Sequence, residues 1–220
     1  MNTNAWLADI QAARSIAVLR APQFELGYRL ATAVAAGGMR LIEITWNSDR
    51  PAELISQLRA DLHHCQIGAG TLLNRDHLKD AIAAGAQFLF TPHVDVSLIQ
   101  LAADHAVPIV PGALSPTEIV HAWQAGATCV KVFPVQALGG ADYIRSLRSP
   151  LDDIPLIPTG GVTLENAPAF LSAGAVAVGL SGDLFPKLAV EQSNWEAISD
   201  RARMLVQSLQ PFSRSTPNFM

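Results

Sequence analysis

The sequence predicts a single (β/α)8 TIM barrel with a short N-terminal helix, and three observations predict it. Short apolar runs alternate with amphipathic stretches eight times, at a spacing of about 25 residues. Predicted helices end repeatedly on one small-residue signal: Ala36-Gly37-Gly38, Ala84-Gly85-Ala86, Ala125-Gly126-Ala127 and Ala173-Gly174-Ala175. No Gly-x-Gly-x-x-Gly turn follows the first strand, which tells against an open doubly wound sheet, the alternative architecture. Alternating strands and helices imply parallel strands joined by right-handed crossovers, and eight such units close most simply into a barrel.

The elements follow in order. Residues 4–13 form a leading helix, with Trp6, Leu7 and Ile10 at helical spacing. The strands fall at 16–19, 41–46, 66–70, 88–91, 107–110, 129–133, 155–159 and 176–180. The helices fall at 24–36, 51–62, 76–84, 96–103, 116–124, 141–147 and 164–172, followed by a short element and a last helix at 195–209. Pro51 and Pro116 stand where a first helical turn tolerates proline. One domain is expected over 1–220, with the barrel at about 14–209 and a flexible tail over 211–220.

Composition narrows the function. Half of the 220 residues are hydrophobic and 15% are charged, against a usual charged share of about 25%. A compact fold with a buried subunit interface accounts for that deficit. Net charge is -4 and no basic run occurs, which argues against nucleic acid as a partner. Two cysteines, Cys65 and Cys129, make no disulfide framework. Met1 to Ile10 lacks the basic start and apolar core of a signal peptide, and no apolar run reaches the ~20 residues of a membrane span. A cytoplasmic protein is expected.

In such a barrel the active site lies at the C-terminal ends of the strands. Arg20, Glu43, Thr45, Asn47, Thr71, Thr91, His93, Lys131, Phe133 and Thr159 stand there. Lys131 is the anomaly, a cation inside the apolar strand Cys129-Val130-Lys131-Val132-Phe133. An ionised lysine is almost never buried without a partner. It is either a structural ion pair or an amine that burial favours in its neutral, nucleophilic form. Glu43 shares the barrel interior with it by strand alternation. Glu43 reads either as a structural partner of Lys131 or Arg20, or as a general acid/base. Thr71 and Thr159 are either strand filler or hydrogen-bond donors to substrate, and Arg20 either solvated or an anion clamp.

Two glycine-bearing loops, Thr159-Gly160-Gly161 and Ser181-Gly182, follow the seventh and eighth strands. Barrels commonly bind phosphate there through backbone N–H groups. A metal is not expected, because the six histidines are scattered and no pair has ligand spacing with a carboxylate.

These residues together resemble the class I aldolases of 2-keto-3-deoxy-6-phosphogluconate and 4-hydroxy-2-oxoglutarate. Ile42-Glu43-Ile44-Thr45, Gly68-Ala69-Gly70-Thr71, Thr91-Pro92, Pro111-Gly112, Val130-Lys131-Val132-Phe133-Pro134 and Pro158-Thr159-Gly160-Gly161 match that family in order. The resemblance spans about residues 14–208. It implies that Lys131 forms a Schiff base and Glu43 shuttles protons. Arg20, Asn47, Thr71, Pro92, Phe133 and Thr159 would bind substrate, and Gly160, Gly161, Ser181 and Gly182 the phosphate. It also implies a homotrimer, a keto acid substrate and no cofactor. Asn47 stands where gluconate-type enzymes usually carry arginine and galactonate-type relatives usually carry asparagine, while Ser181-Gly182 reverses the order those relatives show. The galactonate epimer is therefore the alternative substrate. Readings of another kind are a metal-free phosphosugar isomerase, epimerase or synthase on the same barrel, and a non-catalytic sugar-acid-binding barrel.

Overall fold

The computed structural model describes residues 3–213. The strands are β1 (Ser15–Leu19), β2 (Leu41–Thr45), β3 (Gln66–Gly70), β4 (Leu89–Phe90), β5 (Ile109–Val110), β6 (Gly112–Ala113), β7 (Val130–Val132), β8 (Leu156–Pro158) and β9 (Val178–Leu180). The helices are α1 (Thr3–Ala13), α2 (Phe24–Ala36), α3 (Pro51–Asp61), α4 (Arg75–Ala83), α5 (Val96–Asp104), α6 (Pro116–Gln124), α7 (Ala141–Arg148), α8 (Ala167–Ser172), α9 (Lys187–Glu191) and α10 (Trp195–Leu209). None is long and apolar enough to cross a membrane among the described residues.

Nine strand segments occupy eight barrel positions. The hydrogen-bonded orders are β5-β4-β3-β2-β1-β9 and β6-β7-β8. Pro111 separates β5 from β6, since proline has no N–H for a ladder. Its carbonyl still accepts from Lys131 N at 2.9 Å, so the fifth position runs continuously beside β7. A parallel bridge between Thr159 and Gly179 joins β8 to β9 and closes the ring.

Several boundaries differ from the sequence expectation. The strands expected at 88–91, 107–110 and 176–180 are shorter at one or both ends. The helix expected from Leu164 begins at Ala167. Thr163 and Asn166 hold the intervening turn by reciprocal bonds: Thr163 N donates to Asn166 Oδ1 at 2.8 Å, and Asn166 N to Thr163 Oγ1 at 3.1 Å. Of the tail expected over 211–220, Pro211–Ser213 complete a 3-10 turn begun at Gln210. Residues 214–220 lie outside the described residues.

Strand alternation sorts the core into two clusters. One lies between strands and helices and contains Ala17, Ile42, Ile44, Val130 and Val132. The other fills the barrel: Ile16, Leu41, Phe88, Phe90, Val110, Cys129, Ile157 and Ala177, with Trp6 and Ile10 from α1. The leading helix therefore plugs the N-terminal end of the barrel, where the Trp6 ring lies 5.5 Å from that of Phe88. Gly68 leaves room for Phe88, since a Cβ there would meet the ring at 2.2 Å. Below the mouth these side chains fill the barrel interior, and the strand-end polar residues stand above them at the C-terminal end.

Candidate active site

Strand register carries the polar residues to that open end. Glu43 sits level with Val18 on β1 and Gly68 on β3. Lys131 sits level with Gly112 on β6 and Ile157 on β8. A cavity of about 480 Å³ opens above them. It is lined by Lys131 and Glu43, by Arg20, Thr71, Pro92, Phe133 and Thr159, and by Gly160, Gly161, Ser181 and Gly182. A larger hollow of about 710 Å³ lies on the outer surface over α3 and α4 and contains none of these groups.

Of the strand-end candidates, Thr91 and His93 do not line the cavity, and neither does Asn47, an expected substrate-binding residue. It is exposed and borders a neighbouring hollow with Trp46, Arg50 and His77. Continued alternation from Glu43 and Thr45 would have turned it inward. The chain instead turns at the end of β2, where Ser48 N donates to Thr45 O at 2.9 Å. Ser48 Oγ lies 3.3 Å from Thr45 Oγ1 and accepts from Ala21 N at 3.2 Å, tying this turn to the loop that carries Arg20.

Lys131 is 6% exposed. Its Nζ lies 4.7 Å from the centroid of the Phe133 ring and 5.9 Å from that of Phe90. Aromatic faces thus stand where a counter-ion would be expected. No ion pair among the described residues includes Lys131 or Glu43. Glu43 is 1% exposed and neither of its carboxylate oxygens has a hydrogen-bond partner. A buried carboxylate without donors is costly, so this one is held by its surroundings rather than by its own bonds. Desolvation pushes its carboxyl above the usual carboxylate range, and Lys131, then Arg20, pull it part of the way back. Cys129, which precedes β7 and is buried in the barrel interior, is no rival nucleophile, because burial pushes its thiol far above the ordinary range.

Gly70 is the site's silent partner. A Cβ there would stand 1.7 Å from Glu43 Oε1, so its missing side chain is the space the carboxylate occupies. Gly179 does the same for Thr159, whose Oγ1 a Cβ would meet at 2.6 Å. That hydroxyl is buried and unpartnered as well. Thr71 adopts φ 59°, a left-handed conformation uncommon for a β-branched residue, at the edge of the cavity.

At the far end Gly160 and Gly161 take φ 87° and 86° in succession. A side chain at Gly161 would also collide with Gln136 at 2.3 Å. Val135 N and Gln136 N donate to Thr159 O and Gly160 O at 3.0 and 3.1 Å, clamping this turn to the chain that follows Lys131. Thr45, expected at the mouth, lines the cavity too, as do Val18, Val162, Thr163, Gly179 and Asp183, which were not singled out as site residues from sequence. Alternation from Arg20 and Glu43 carries the signal for Val18 and Thr45. No group of three or more histidine, cysteine or acidic side chains that would hold a metal ion occurs among the described residues.

A family model described as "KDPG and KHG aldolase" matches residues 7–201. The chain is 34% identical over 174 residues to the 2-dehydro-3-deoxy-phosphogluconate aldolase of Pseudomonas aeruginosa, covering 79% of each protein. It is 28% identical over 192 residues to the KHG/KDPG aldolase of Escherichia coli K12, covering 87% of this chain and 90% of that protein. Among solved structures, the KDPG aldolase from Legionella pneumophila, with pyruvate captured at low pH as a covalent carbinolamine intermediate, matches with a TM-score of 0.83 and 26% identity. That match covers 90% of this chain and 97% of the other. A structure called native KDPGal matches with a TM-score of 0.81 and 30% identity, over 90% of this chain and 95% of the other.

Proposed function

The chain belongs to the KDPG and KHG aldolase family, and on that premise we propose that it reversibly cleaves 2-keto-3-deoxy-6-phosphogluconate to pyruvate and glyceraldehyde 3-phosphate. 4-Hydroxy-2-oxoglutarate, giving pyruvate and glyoxylate, is a second substrate of the same chemistry. The observation that supports this best is a buried, carboxylate-free Lys131 amine in one cavity with the unpartnered carboxylate of Glu43.

Lys131 Nζ attacks the C2 ketone, and loss of water gives a protonated imine. Glu43 takes the C4 hydroxyl proton, directly or through a water molecule, as the C3–C4 bond breaks. The bonding electrons pass into the imine, which becomes an enamine while the aldehyde leaves. Glu43 returns the proton to C3, and hydrolysis frees pyruvate and the lysine. Arg20 supplies positive charge for the substrate carboxylate. Thr71 and Thr159 offer hydroxyls to the substrate, and Gly160, Gly161, Ser181 and Gly182 receive the phosphate. Pro92 and Phe133 form apolar walls beside the reacting carbons.

The galactonate epimer is the second reading. Trp46-Asn47-Ser48 favours it by resemblance, although Asn47 does not line the cavity. Comparative turnover of the two phosphorylated epimers and of 4-hydroxy-2-oxoglutarate, all with EDTA present, tests these readings. The gluconate epimer is expected to give the highest kcat/KM. A higher value for the galactonate epimer would reverse the assignment, and binding without release of pyruvate from any substrate would leave a sugar-acid-binding barrel. A homotrimer is part of the proposal, supported by the low charged share and by exposed apolar side chains such as Leu73, Val96 and Trp123. A one-chain mass in sedimentation would contradict it.

A pH profile tests Glu43. As a base it works ionised and fails once protonated. Its raised carboxyl therefore moves the acidic loss of kcat/KM to a pH above the ordinary carboxylate range of about 4.3. Glu43→Gln lowers kcat by about 10²- to 10⁴-fold and removes that acidic limb. A limb at the ordinary carboxylate pH, or one kept in Glu43→Gln, would assign the base elsewhere.

A further inference from the structure

The end of the cavity assigned to phosphate carries a carboxylate, Asp183. Coulomb repulsion opposes a negative charge at an anion subsite unless that charge is cancelled. Here it is cancelled and put to use. Asp183 Oδ2 accepts from Leu164 N at 2.8 Å, in the chain after β8. Asp183 Oδ1 receives Arg201 Nη2 at 2.9 Å, and Arg201 Nε donates to the Asp183 carbonyl at 2.8 Å. Each side chain is 32% exposed, so the pair is shielded more than a free surface pair. These three bonds join the β8 loop, the β9 loop and α10. The β8 loop is also pinned from within, because Asn166 Nδ2 donates to Gly161 O at 3.0 Å. In the β9 loop, Leu184 N donates to Ser181 O at 2.9 Å. The relative placement of the two glycine-bearing loops thus passes through one aspartate and one arginine.

We propose that Asp183 and Arg201 are positioning residues that hold the Gly160-Gly161 and Ser181-Gly182 loops at the spacing of a phosphate and neutralise the charge that would repel it. This rests on the aldolase reading above and deepens it. The pair makes the far subsite selective for a phosphorylated tail and leaves the lysine chemistry untouched. Arg201, on the last helix, never meets substrate. It acts through Asp183.

The test compares steady-state cleavage of the phosphorylated acid with that of the same acid lacking phosphate. Arg201→Gln raises KM for the phosphorylated acid by about tenfold or more, because the carboxylate is left uncompensated at the anion site. The kcat stays within about threefold, since no interaction made only in the transition state is lost. Kinetics with the unphosphorylated acid and the rate of pyruvate trapping on Lys131 remain those of the parent. Inorganic phosphate, titrated directly into the protein, binds more weakly by the same factor. Arg201→Lys keeps the charge and recovers most of the affinity, and it gives a second reading if Arg201→Gln lowers the melting temperature. Equal losses with both acids, an unchanged KM in Arg201→Gln, or no recovery in Arg201→Lys would overturn the proposal. Failure of the parent protein to trap pyruvate would overturn the aldolase reading instead, and the phosphate titration would still judge the clasp.

Discussion

Lys131→Ala abolishes the borohydride-trapped pyruvate adduct and lowers aldol cleavage by roughly 10⁴-fold or more, the scale of losing a covalent nucleophile. The sequence has only three lysines, which makes the experiment clean. Lys187 lies on the surface, its side chain 89% exposed and 3.6 Å from Glu191. Lys79 is an exposed residue of α4. Neither borders the cavity. Peptide mapping of the reduced protein should place the added mass on Lys131 in the parent and nowhere in the variant. An adduct on Lys79 or Lys187, or one that persists in Lys131→Ala, sinks the assignment. The loss is functional rather than structural, because the amine makes no ion pair and its removal leaves no buried carboxylate newly orphaned beyond Glu43, which is unpartnered already.

Gly70→Ala lowers kcat by about 100-fold while pyruvate trapping on Lys131 continues. The backbone tolerates the change, since Gly70 is not among the residues with positive φ. The obstacle is Glu43, whose Oε1, Cδ and Cγ lie 1.7, 2.4 and 2.7 Å from the new Cβ. The carboxylate is the end of a flexible side chain and can swing aside, so the melting temperature changes less than the activity does. A displacement of about 1 Å is enough to cost two orders of magnitude when proton transfer depends on position. The separation of effects is diagnostic: nucleophile intact, proton shuttle misplaced. Parental kcat in Gly70→Ala would show that the position of Glu43 does not limit the reaction.

Much of the cavity lining was legible because a closed parallel barrel leaves little choice. Once eight units are counted, strand-end residues must converge at one mouth, and alternation assigns Glu43 and Lys131 to its interior. Asn47 falls outside the cavity for a local reason. Alternation holds only while the chain is extended, and the Ser48-to-Thr45 turn ends it two residues earlier. Asp183 was missed as a site residue because an aspartate beside an expected phosphate reads as unfavourable until its counter-ion is known. That counter-ion, Arg201, lies 18 positions away on the last helix. The interruption at Pro111 was readable in principle, since proline cannot donate to a ladder, but the carbonyl bond that bridges it comes from a neighbouring strand.

Sequence alone determined the barrel, the burial of a lysine in its sixth position, and the two glycine turns at the far end of the mouth. Period, alternation and backbone permissiveness are properties of short stretches, and they survive without knowledge of neighbours. The tertiary structure alone decided that Lys131 has aromatic rings instead of a counter-ion, that the absence of a side chain at Gly70 makes room for Glu43, and that Arg201 on α10 reaches back to Asp183 beside the glycine-bearing loops. Those facts depend on distances between residues far apart in the chain. Only closure of the barrel sets such distances, because closure brings eight strand ends into one water-poor space where each charge must find a partner or do chemistry.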